Sequence, residues 1–110
     1  MITVYVKHYL NEAGRTYFDK TWFPYVFSII TKQPGYHFIE THNDDSDPDC
    51  KNITFKFDDQ KTLDDWIAHP DHQKVIDDLN PYRTKHYNVF HTAENTPAPD
   101  DIKEWQTIVL

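Results

Sequence analysis

The sequence predicts an α+β domain, a ferredoxin-like β-α-β-β-α-α-β chain that forms an antiparallel sheet with its helices on one side. Three observations carry this. Period-two alternation opens the chain, helical spacing of apolar residues follows, and further strand and helix patterns succeed one another in the order of a four-stranded sheet. At 110 residues the chain fits one domain, which we place at residues 1–92, followed by a linker and docking segment at 93–110.

In the first element Ile2, Val4, Val6, His8 and Leu10 alternate with Thr3, Tyr5, Lys7 and Tyr9. Nine residues of period two make a strand with one aliphatic face. Asn11 then supplies a helix N-cap, and Glu12 a carboxylate suited to the first turn. From Glu12 to Lys32 the apolar positions have helical spacing, with Phe18, Trp22, Tyr25, Val26, Ile29 and Ile30 on one broad face. Pro24 interrupts that run, so the helix either kinks there or restarts with Pro24 in its first turn. Gln33-Pro34-Gly35 ends it.

Gly35 to His42 alternates again, and so do Ile53, Phe55 and Phe57 with their polar neighbours. Between them lies the polar stretch 43–49, which predicts a hairpin with a long loop. Asp59 or Thr62 caps the next helix, whose stripe is Leu63, Trp66 and Ile67. His69-Pro70 breaks it, and a further helix carries Val75, Ile76 and Leu79 up to Asn80-Pro81. Tyr82 to Thr92 is the fourth strand, with β-forming Tyr87, Val89 and Phe90. The Pro- and Asp-rich stretch 93–101 reads as a linker, and Ile102, Trp105, Ile108 and Val109 as a terminus that docks on its own subunit or across a dimer.

Composition narrows the function. The formal net charge of −7 repels phosphate backbones, so no nucleic-acid partner is expected. No apolar run is long enough to span a membrane. The opening residues lack the basic start of a signal peptide, and the single Cys50 allows no internal disulfide, which together predict a cytoplasmic protein. Aromatic residues make up 15% of the chain, enough to line a pocket or an interface as well as a core. A sheet covered on one side leaves aromatic or aliphatic residues on the other, either Tyr5 and Tyr9 or Tyr87 and Val89. Two-fold pairing, sheet on sheet, would cover them, so a homodimer is the expected partner.

Several segments together resemble a known family. They are Val4-Tyr5-Val6-Lys7-His8-Tyr9-Leu10, the Trp22-centred helix, Gln33-Pro34-Gly35-Tyr36, Leu63-Asp64-Asp65-Trp66, His69-Pro70-Asp71-His72 and Leu79-Asn80-Pro81-Tyr82-Arg83. This run, from Met1 to about Thr92, resembles an antibiotic biosynthesis monooxygenase domain. The resemblance implies a dimeric α/β barrel with its pocket between sheet and helices. Family members include cofactor-independent oxygenases of aromatic polyketides, quinol oxygenases and haem-degrading enzymes. The haem-degrading pattern is only partly present: Trp66 matches its tryptophan, while His8 stands where an asparagine is expected and Ile76 near the place of its histidine.

The resemblance therefore implies a cofactor-independent monooxygenase acting on a small aromatic or quinol-like molecule. A phenol must lose its proton and its anion must be held in a dry pocket. His8 is the candidate base, Trp66 the wall that stacks on the ring, and Arg83 or Tyr82 the donors to the anion. The alternatives are a non-catalytic binder using the same pocket and a haem-binding protein with another histidine ligand.

Other motifs are weaker. His69 and His72 lie at i, i+3 and lack a third ligand, so no metal is expected, and His69-Pro70 reads as the boundary between two helices. Asp45, Asp47 and Asp49 alternate as in a calcium loop, but Cys50 and Lys56 occupy the positions that need glycine and glutamate. Acidic neighbours make Cys50 an inert thiol.

Overall fold

The computed structural model describes residues 1–44 and 46–91, with the side chain of His91 excepted. Strand β1 is Ile2–Leu10 and helix α1 is Glu12–Tyr17. A π-helical turn, Phe18–Trp22, leads into helix α2, Phe23–Ile30. Strands β2, Tyr36–Asp44, and β3, Asp47–Phe57, form a hairpin. Helices α3, Gln60–Ile67, and α4, Pro70–Asp78, follow, then a 3₁₀ turn, Asn80–Tyr82, and strand β4, Arg83–His91. The sheet order is β2-β3-β1-β4, with every pair antiparallel. This is the predicted α+β, ferredoxin-like arrangement. No helix among the described residues is long and apolar enough to cross a membrane. The expected boundary at residue 92 and the docking of 93–110 lie outside the described residues.

Local chemistry sets the element ends. Asn11 caps α1 by accepting from the Gly14 N–H at 2.8 Å. Asp59 accepts from the Thr62 N–H at 2.9 Å, while the Thr62 hydroxyl faces the Asp59 N–H, a reciprocal cap on α3. His69 both ends α3 and caps α4, its Nδ1 accepting from the Asp71 N–H at 3.0 Å. Pro24 stands in the first turn of α2, the restart rather than the kink. The preceding π turn, in which the Phe23 N–H reaches the Phe18 carbonyl, brings Phe18, Trp22, Val26 and Ile30 inward together. Tyr25 was expected on the same face but is 40% exposed, because a residue three positions on from Trp22 rotates off that line and meets Lys74 Nζ at 4.8 Å.

The hairpin corrects a second expectation. Its loop is short: Asp44 pairs with Asp47, and the polar stretch is mostly strand. Asp44 is buried, accepting from the Ser46 N–H at 2.9 Å and hydroxyl at 2.6 Å and pairing with Lys7 Nζ at 3.4 Å. Those hydrogen bonds hold its carboxyl below the usual range even though burial pushes the other way. At the other end of β2, Gly35 has φ +82°, and a Cβ there would lie 2.5 Å from Thr62 Oγ1. Gly35→Ala is therefore expected to cost at least about 1–2 kcal/mol from the left-handed backbone alone. The clash with the α3 cap adds to this, and a urea titration against wild type measures the sum.

The core lies between the sheet and the helices: Val4, Val6, Ile53, Phe55, Phe57 and Val89 face Phe18, Trp22, Val26, Leu63, Trp66 and Val75. The opposite sheet face carries Tyr5, Lys7, Tyr9, Asn52, Thr54 and Asn88, which correspond across the strands. It is less open than the alternation predicts, with Tyr5 and Tyr9 only 6% and 8% exposed. Phe90 packs beside Tyr5, Lys85 Nζ lies 4.2 Å over the Tyr9 ring, and Asn88 donates to the Tyr9 hydroxyl at 3.1 Å.

Candidate functional site

A cavity of about 80 Å³ opens between the sheet and the helices. Its floor is the aliphatic side of β1 with Ile53 and Phe55, and its walls come from Trp22, Val26, Trp66 and Val75. The lining is almost wholly apolar, and the exceptions are His8, His72 and the Tyr87 ring. This volume is roughly half of the ~150 Å³ that accepts a benzene ring in a dry protein cavity. Ile67 lines the cavity and is 41% exposed, so its side chain can yield to an entering ligand at little packing cost.

Alternation in β1 turns His8 inward, where it is 1% exposed. Its ring lies 5.4 Å from that of Trp22, edge-on, and 5.6 Å from that of Tyr87. Arg83 Nη1 stands 2.9 Å from His8 Nδ1. A guanidinium has only donors, so Nδ1 accepts and the proton of the neutral ring sits on Nε2. Burial first, then the positive Arg83 and then His72, lower the His8 pKa to about 3. At neutral pH His8 is thus an uncharged imidazole whose lone pair is already engaged and whose Nε2–H is free to donate. The nitrogen a base would use is the one that Arg83 occupies.

Arg83 is itself fixed at four points. Its Nε donates to Asn80 Oδ1 at 2.9 Å, Nη1 to His8, and Nη2 to the Ile76 carbonyl at 3.0 Å, while the guanidinium lies 4.6 Å over the Tyr87 ring. It is not among the cavity-lining residues; it reaches the cavity through His8.

Of the four predicted site residues, the structure places His8 and Trp66 on one cavity and Arg83 directly behind His8. Tyr82 is elsewhere: it stacks on Tyr17 at 5.2 Å, close over Gly14, and its carbonyl accepts from the Asn11 N–H. Tyr87 is the tyrosine that reaches the cavity, a position visible in the alternation of the fourth strand once its register is known. Sequence spacing pairs His72 with His69 alone. The two separate, His69 capping a helix while His72 lines the cavity edge-on to Trp66 at 5.4 Å. Burial lowers the His72 pKa. Cys50 is buried and its thiol is pushed up to about 12, chiefly by burial. Among the described residues, no group of three or more His, Cys, Asp or Glu side chains is placed to hold a metal ion.

No protein-family model and no curated protein matches the sequence. Solved structures do match the fold. An antibiotic biosynthesis monooxygenase superposes with a TM-score of 0.75 at 13% identity, over 88% of this chain and 100% of that one. A conserved protein from Methanosarcina mazei Go1 gives 0.77 at 14% identity, over 86% and 92%. SnoaB, a cofactor-independent oxygenase from Streptomyces nogalater, gives 0.68 at 16% identity, over 86% and 94%. This chain has the fold of antibiotic biosynthesis monooxygenases, and at these identities the likeness is one of fold.

Proposed function

We propose that this chain is a small-molecule enzyme of the antibiotic biosynthesis monooxygenase type, acting without a cofactor on a small phenol or quinol-like aromatic. One observation carries the reading: an apolar cavity contains a buried neutral imidazole whose free N–H is oriented by an arginine. A donor fixed in a dry site is suited to an oxygen that gains negative charge. A phenolate is such an oxygen, and its formation makes the ring electron-rich enough to react with dioxygen. The reaction balances without a further reductant. A phenol with a free para carbon and one O₂ give a quinone and one water, one oxygen atom entering the ring. Trp66 and Trp22 supply the walls, Tyr87 supports Arg83, and Arg83 holds His8 in its donating form. SnoaB's description as a cofactor-independent oxygenase supports the same reading by fold.

The test is oxygen consumption and quinone formation with a panel of monocyclic phenols and hydroquinones, using protein freed of metal and flavin. Wild-type protein is expected to consume oxygen. His8→Phe should lower turnover by roughly 10²–10³-fold, the range for removing one such donor. Binding of the same phenols without oxygen consumption would replace the enzyme with a binding protein.

The homodimer belongs to this proposal too. Tyr5, Tyr9 and Phe90 form an aromatic strip on the sheet face turned from the helices, which suits sheet-on-sheet pairing. Light scattering should give twice the chain mass of 13.2 kDa, and a single chain mass would remove the dimer.

A further inference from the structure

A phenolic ligand in this cavity needs a group to take its proton, and His8 is badly placed for that. Its Nδ1 lone pair receives Arg83 Nη1 at 2.9 Å, and its Nε2 already carries a hydrogen. Trp22 and Trp66 have no lone pair to offer, and the Tyr87 ring is already engaged under the Arg83 guanidinium. One other lining residue has an available nitrogen lone pair. The geometry points to His72 as the proton acceptor of the cavity, which it lines together with the donor His8. This assignment rests on the reading of the cavity as a phenol site and adds the residue that reading lacks.

Three features fit His72 for the role. It lines the cavity, where its ring stands nearly perpendicular to that of Trp66, the wall on which an aromatic ligand would stack. It is only partly buried, so a proton it receives has a route to solvent, whereas His8 is sealed in. It sits in the first turn of α4, where the helix dipole disfavours a positive ring. Burial acts in the same direction, so the resting ring is neutral with its lone pair available, and the cation formed on proton transfer is offset by the phenolate left beside it in the cavity. The ionisable groups around it are His69 and Asp71 near it in the chain and His8 on the same cavity, with Arg83 behind His8.

In the step itself the phenolic O–H bond breaks, its proton joins the free ring nitrogen of His72, and the electron pair stays on the oxygen. The His8 Nε2–H then donates to that oxygen. One histidine takes the proton while the other holds the charge left behind, so the pair of neutral rings becomes an imidazolium and a hydrogen-bonded phenolate without a net change of charge.

4-Nitrophenol separates these steps, because its anion absorbs visible light and its neutral form does not. It is titrated into the protein at a pH where the free phenol is mostly protonated. Quenching of tryptophan fluorescence reports binding, and visible absorption reports ionisation. The wild type should bind and develop the phenolate band. His72→Gln should still quench but lose most of the band, and His72→Asn serves if the glutamine variant fails to fold by circular dichroism. An undiminished band in a folded His72 variant overturns the assignment, and so does wild-type binding with no band. Absence of any quenching overturns the phenol site and this assignment with it.

Discussion

Trp22→Ala is expected to lower the free energy of unfolding by about 3–5 kcal/mol, the range for removing a large buried aromatic. Trp22 is 2% exposed, stacks on Phe18 at 4.9 Å and presents an edge to His8. Its Nε1 donates to the Val75 carbonyl at 2.7 Å, which ties the π turn to α4. Alanine removes the packing, leaves that carbonyl without its partner and enlarges the cavity. Trp22→Phe helps to separate the two contributions, since it keeps most of the ring volume while removing the hydrogen bond. About 1–3 kcal/mol of the loss should remain in the phenylalanine variant. Urea unfolding followed by circular dichroism measures both. A loss below about 1 kcal/mol in the alanine variant would mean that the helices pack without this anchor.

The protein should also lose stability steadily in mild acid, and His8 should be the main cause. Its pKa is near 3 in the fold against an ordinary 6.5. Above pH 6.5 neither the folded nor the unfolded form takes up this proton, and the stability is fully present. As the pH falls from about 6.5 towards 3, the unfolded chain binds a proton that the folded chain refuses, so unfolding becomes easier. The slope approaches roughly 1.4 kcal/mol per pH unit within that window. His72, also lowered, acts in the same direction. Asp44 and Asp59 add their losses only as the pH drops below the normal carboxylate range. Urea midpoints between pH 7 and 4 give the slope, which should flatten in His8→Gln. An equal slope in the two proteins would assign the acid sensitivity to other groups.

Much of the fold was legible because it depends on local rules. Alternation gave β1 and its inward His8, while Asn11, Pro24, Gly35 and Asp59 marked ends whose reasons are contained within four residues. The hairpin was misjudged because Asp44 looks like a loop residue until Lys7, from a strand far away in sequence, is placed beside it. The π turn was invisible for a related reason: helical periodicity has no sign for one residue too many in a turn.

The site followed the same division. His8 was found by its place on the inward face of β1, and Trp66 by the family resemblance. The choice of Tyr87 over Tyr82 depended on where the 3₁₀ turn hands over to β4. The separate fates of His69 and His72 depended on a capping hydrogen bond competing with a cavity wall, and sequence spacing is the same for either. Arg83 was expected at the ligand, yet three of its contacts hold it one residue back.

Those contacts have a mechanical consequence. Arg83 joins the Ile76 carbonyl in α4 to the His8 ring in β1, and Ile76 also lines the cavity. A guest too bulky for the resting space would push α4 outward and drag on the same guanidinium that sets the imidazole. If the cavity takes the proposed aromatic guest, such a tether would turn oversize into a misaligned donor, adding the ring's orientation to steric exclusion as a means of selection.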